Sequence, residues 1–116
     1  MNHTSVTIGL PVRSLPDAIG WYRMVLGSKR TLQPVPHILE FEVHQGIWLQ
    51  LVEDQEREPG DGVVRFGVKD IESEWNRLRK AGVPVSEITR HEGGIAYLYL
   101  QDPYGNRLSL YQEMRN

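Results

Sequence analysis

The feature that most constrains this chain is that it nearly repeats itself. The stretch VRSLPDAIGWYRMVLG, from Val12 to Gly27, pairs with VKDIESEWNRLRKAG, from Val68 to Gly82, when one helical residue is deleted. GIWLQLV (Gly46–Val52) likewise pairs with GNRLSLY (Gly105–Tyr111), glycine on glycine and leucine on leucine. Two copies of about fifty residues are too few and too long for a solenoid. They describe a duplicated supersecondary unit within 116 residues, an ordinary length for one domain.

Each copy reads as strand, helix and three strands. In the first, VTIGLPV (Val6–Val12) alternates with a period of two, and Val6, Ile8, Leu10 and Val12 share a face. Ser14 is a good N-cap, with Asp17 three residues on and Pro16 in the first turn, where its missing N–H costs little. Ile19, Tyr22, Val25 and Leu26 form the apolar stripe, and Gly27 stops the helix. Strands follow around Lys29–Val35, Ile38–Val43 and Ile47–Val52, the last two joined through His44-Gln45-Gly46.

The polar stretch EDQEREPGDG, Glu53 to Gly62, reads as a solvated linker. The second copy then starts with Val64, Phe66 and Val68 alternating. Asp70 caps a helix with the stripe Ile71, Trp75, Leu78 and Ala81, and Gly82 and Pro84 end it. Strands are expected around Val85–Arg90, Ile95–Gln101 and Asn106–Tyr111, the last entered through the turn Asp102-Pro103-Tyr104-Gly105-Asn106. The fold class is α+β: two tandem βαβββ modules, about 4–53 and 62–113, form one domain with a curved mixed sheet and helices on its outer face.

If the apolar side of every strand lies under the helices, alternation assigns the opposite side as well. That side collects Thr7, Gly9, Glu40, Glu42, Trp48, Gln50, Val63, Arg65, Tyr97, Tyr99, Arg107, Ser109 and Tyr111. The set is polar and rich in aromatics. It fits a ligand cup with Trp48 and the tyrosines as stacking walls and the arginines as anchors for a carboxylate or phosphate. It also fits a wet face, or one on which the arginines pair with Glu40, Glu42 or the linker, or an interface between copies of the chain.

Composition narrows the field further. The net charge of −2 gives no reason to expect nucleic acid or an anionic membrane as partner. The absence of cysteine excludes disulfides, zinc–thiolate sites, iron–sulfur clusters and thiol nucleophiles. MNHTSVTIGL has no basic region followed by a long apolar run, and no apolar stretch is long enough for a bilayer, so a cytoplasmic location is expected. His3, His37, His44 and His91 fall at the N-terminus, a strand start and two turns, where solvated side chains are the rule.

The two βαβββ units, the strand–Pro-Val opening with its Ser-Leu helix start and Trp-Tyr…Leu-Gly, and the late Asp-Pro-x-Gly-Asn turn together resemble the vicinal-oxygen-chelate superfamily. That superfamily includes glyoxalase I, extradiol dioxygenases, and fosfomycin- and bleomycin-resistance proteins. In its metal-dependent members the resemblance implies four ligand slots, on the first and last strands of each module. Here those slots hold Thr7, Gln50, Val63 and Ser109, of which only Gln50 is a plausible metal ligand. The resemblance thus implies the metal-free branch, without cofactor: a homodimeric small-molecule binding protein that sequesters a small aromatic or anionic ligand. The ligand-binding set would be Trp48, Gln50, Arg65, Tyr97, Tyr99, Arg107, Ser109 and Tyr111. The alternative is a glyoxalase-type lyase or isomerase, with a weak metal site around Gln50 or with Glu40 or Glu42 as base.

Overall fold

In a computed structural model, which describes residues 1–113, the chain separates into two compact units, Met1–Pro59 and Gly60 onward. Each is a βαβββ unit with its own four-stranded sheet, so the mixed sheet expected from alternation is built twice.

In the first unit, β1 (Val6–Val12) leads into α1 (Leu15–Leu26), then β2 (Thr31–Val35), β3 (Ile38–His44) and β4 (Ile47–Glu53), with strand order β1-β4-β3-β2. β1 pairs parallel with β4, whereas β3 pairs antiparallel with both its neighbours. Ser14 caps α1 by accepting from the Asp17 N–H at 3.4 Å, and Pro16 sits in the first turn, where no donor is needed. A second free donor of that turn, Leu15 N, is taken by the Glu53 carboxylate at 2.7 Å. Leu15, Ala18, Tyr22 and Val25 of the helix, with Leu39, Phe41, Leu49 and Leu51 of the sheet, form the buried core of this unit.

The second unit repeats this plan with β5 (Val63–Gly67), α2 (Ile71–Lys80), β6 (Thr89–His91), β7 (Ile95–Gln101) and β8 (Arg107–Glu113), in the order β5-β8-β7-β6. Asp70 caps α2 through Ser73 N, and Gln112 of β8 accepts from Ile71 N at 2.9 Å, as Glu53 does for α1. Ile71, Leu78, Ala96, Leu98, Leu100, Leu108 and Leu110 are buried.

Two expectations shift. Val85–Arg90 is not one strand: only Thr89–His91 forms β6, and Val85 contributes a single bridge to Leu100. Trp75 is half-buried rather than core, because its indole N–H donates to Ser86 O at 3.0 Å and Arg79 stacks on its ring.

The polar stretch after β4 is exposed but tied down. Arg13 reaches Gln55 O and Glu58, and Gln55 Nε2 returns a bond to Arg13 O. Asp54 accepts from the Glu56 and Arg57 amides, and these two bonds, the Glu56 one foremost, hold its carboxyl below the ordinary aspartate value. Among the described residues no helix is long and apolar enough to cross a membrane.

Candidate functional site

The strand registers fix which side chains stand beside one another on the face away from each helix. In the second unit three rows cross the sheet: Val63–Arg107–Gln101, Arg65–Ser109–Tyr99 and Gly67–Tyr111–Tyr97. Paired residues point to the same side, so Arg65, Tyr97, Tyr99, Arg107, Ser109 and Tyr111 share one face.

Arg65 organises this face. Its guanidinium carbon lies 5.6 Å from the Tyr97 ring centroid, 5.9 Å from that of Tyr99 and 5.8 Å from that of Tyr111. All three are within cation–π range. β5 and β7 lie on either side of β8, about 10 Å apart at ordinary strand spacing, so Arg65 must cross β8 to reach Tyr97 and Tyr99. It crosses at its register partner Ser109, whose small side chain is fully buried and donates its hydroxyl to Leu98 O at 2.9 Å. Arg65 Nη1 also donates to Tyr99 Oη across a long 3.4 Å.

Tyr111 reaches this position because its neighbour on β5 is a glycine. A Cβ on Gly67 would lie 3.1 Å from both Cζ and Oη of the Tyr111 ring. Gly67→Ala should therefore push the ring away by a few tenths of an ångström and weaken ligands that use it. Stability should change by less than about 1 kcal/mol, because the displaced group is the outer end of a side chain. Thermal melts together with ligand titrations would show this split.

Beside Tyr99 lies an open cavity of about 310 Å³ lined by Tyr99, Leu100, Gln101 and Arg107. On the other flank, His91 stacks on Tyr97 with centroids 5.4 Å apart, and its Nε2 lies 3.1 Å from Tyr97 Oη. The sequence places His91 in a turn as a solvated residue. The structure makes it the last residue of β6 and a neighbour of the tyrosine cluster, a link that only the pairing of β6 with β7 creates.

The corresponding face of the first unit is arranged differently. Its rows are Gly9–Gln50–Glu40 and Thr7–Trp48–Glu42. Gln50 Nε2 donates to Glu40 Oε2 at 2.8 Å. Arg30 lies over Trp48, 5.6 Å from its ring centroid, and its Nη1 is 3.9 Å from Glu42. Glu40 and Glu42 are thus already engaged with neighbours. Trp48 and Gln50 stand on this unit's face, and the remaining members of the expected binding set stand on the second unit's face.

The four slots where metal-dependent relatives would hold an ion do not fit one. In the second unit Val63 has no donor atom, and the Ser109 hydroxyl is buried and committed to Leu98 O. In the first, Thr7 offers a hydroxyl, and the Gln50 amide is bonded to Glu40. A divalent ion needs several nitrogen or charged oxygen donors converging on one point. Among the described residues, no group of three or more histidines, aspartates and glutamates comes together in that way.

Comparison with known proteins agrees with this architecture. The family model for the Glyoxalase/Bleomycin resistance protein/Dioxygenase superfamily matches residues 1–110. Similar solved structures include a glyoxalase/bleomycin resistance protein from Catenulispora acidiphila, with a TM-score of 0.80 and 22% identity over 95% of this chain and 98% of that one. The lactoylglutathione lyase of Agrobacterium tumefaciens gives 0.76 and 22% over 92% and 91%. The fosfomycin resistance protein FosX of Listeria monocytogenes gives 0.76 and 15% over 97% and 93%. At these identities the likeness is one of fold. No curated protein matches. With the duplicated βαβββ unit, the Asp-Pro-Tyr-Gly-Asn turn and the family match in agreement, the chain belongs to the Glyoxalase/Bleomycin resistance protein/Dioxygenase superfamily.

Proposed function

We propose that this protein binds and sequesters a small aromatic or anionic molecule without a metal ion, acting as a homodimer. The observation that carries this reading is the gathering of Tyr97, Tyr99 and Tyr111 around Arg65 on an open sheet face, next to a cavity of about 310 Å³. Tyrosines give rigid stacking area with a hydrogen-bonding tip, and a guanidinium among them adds a fixed charge. The homodimer is supported by apolar side chains left exposed on edge strands, Val6 on β1 and Leu32 and Val35 on β2.

Screening a library of aromatic acids, phenols and neutral aryl compounds by thermal shift, with and without a chelator, tests the reading. Ligands should raise the melting temperature equally in both conditions, and Tyr99→Ala should weaken the best of them about tenfold. Binding that needs a divalent metal, or turnover of the methylglyoxal–glutathione adduct, would overturn it in favour of a glyoxalase-type lyase or isomerase. Sedimentation showing a monomer at micromolar concentration would remove the homodimer from the proposal.

A further inference from the structure

The outward faces of the two units differ in whether their charges are neutralised. On the first, Gln50 is bonded to Glu40 and Arg30 is close to Glu42. Elsewhere on the surface Arg13, Arg77 and Arg90 pair with Glu58, Glu74 and Glu72. Arg65 and Arg107 have no carboxylate partner among the described residues. Arg65 meets three ring faces and one tyrosine hydroxyl.

Both arginines stand on the same face of adjacent strands. Arg65 pairs with Ser109 and Arg107 with Val63, which places them diagonally across one step of the β5–β8 ladder. Diagonal neighbours of this kind are about 7–8 Å apart at the backbone, within easy reach of two long side chains converging on one anion. Tyr99 links them to the cavity: its hydroxyl faces Arg65 Nη1, while Tyr99 also lines the cavity with Leu100, Gln101 and Arg107. The cavity therefore has an aromatic wall at Tyr99 and a cationic rim at Arg107.

We infer that the ligand is an aryl carboxylate, with its ring against Tyr99 in this cavity and its carboxylate shared between Arg107 and Arg65. This rests on the reading above that the face is a ligand site, and it adds the charge and the two residues that select for it. Guanidinium forks match the two oxygens of a carboxylate, and among the described residues no salt bridge engages either arginine. An aryl cation would meet two like charges there, and a neutral aryl compound would use the ring contacts alone.

The test is calorimetric titration of benzoate and 2-naphthoate against their neutral amides, benzamide and 2-naphthamide. Wild type, Arg65→Gln and Arg107→Gln would be compared, each first shown to melt like wild type. The carboxylates should bind at least about tenfold more tightly than the amides, and raising salt from about 0.05 to 0.5 M should weaken only the carboxylates. Each arginine variant should remove most of the difference between acid and amide. If amides bind as tightly as acids and both variants behave like wild type, the assignment of an anionic ligand fails while the binding reading stands. If neither acids nor amides bind at about 10 mM, a weak limit near 3 kcal/mol of affinity, both fall together.

Discussion

Asp102→Ala is expected to destabilise the second unit by about 3 to 4 kcal/mol, seen as a melting temperature lower by roughly 12–20 °C. Asp102 is only 4% exposed, and its carboxylate holds the turn into β8 together. Oδ1 accepts from Tyr104 N and Asn106 N, each at 2.8 Å, and Oδ2 accepts from Asn106 Nδ2 at 2.7 Å. Asn106 O in turn accepts from Asp102 N, and Gly105, at φ 96°, takes the left-handed turn that a side chain would resist. Removing the carboxylate leaves three donors without their acceptor, two of them on Asn106, which is almost fully buried. Asp102→Asn keeps one acceptor oxygen and should lose less. A change below about 1 kcal/mol would show that water can replace these bonds.

A loss of similar size, about 3 to 5 kcal/mol, is expected for Tyr22→Ala in the first unit. Tyr22 is fully buried on the inner face of α1, edge-on to Trp21 at 4.8 Å and tilted against Phe41 at 6.4 Å. Truncation would open a void between the helix and β3 that leucines already packed on the sheet cannot fill. Urea denaturation should show a lower midpoint, and Tyr22→Leu should recover part of the loss. Since domains of this size are stable by only about 5–15 kcal/mol, the alanine variant would be close to unfolding at elevated temperature. A loss under about 1 kcal/mol would mean that α1 is held mainly by Leu15, Ala18 and Val25.

Alternation and capping carried the fold in the sequence. β1 and β7 occupy the residues that the period-two pattern marks, and Ser14 and Asp70 cap the helices as their positions imply. Both signals are local, so they survive without knowledge of the tertiary partner. The short β6 was harder, because Ser86, Glu87 and Arg90 break the alternation around it. The helix-capping roles of Glu53 and Gln112 were invisible, since each reaches a residue about forty positions away.

The candidate site was legible to a similar degree. Period two says which face a residue is on, and it placed Arg65, the three tyrosines and Arg107 together. It does not say who touches whom. The engagement of Gln50 by Glu40, the passage of Arg65 over Ser109 and the stacking of His91 on Tyr97 all depend on register between strands. Ser109 shows the difference well: its slot identifies it as a poor metal ligand, whereas its burial beneath Arg65 and its bond to Leu98 O follow only from geometry.

Gln50 and Ser109 occupy equivalent places in the duplicated unit, yet one is engaged by a carboxylate and the other underlies an arginine. Ser109 is buried and tied to Leu98 O, but its row-mates Arg65 and Tyr99 are exposed and add little to the helix-facing core or to the turn at Asp102. Single substitutions at such exposed positions can therefore alter what the protein recognises at small cost to folding. The scaffold is conservative and its outer rows are adaptable, so in a lineage of such proteins ligand preference should change faster than shape.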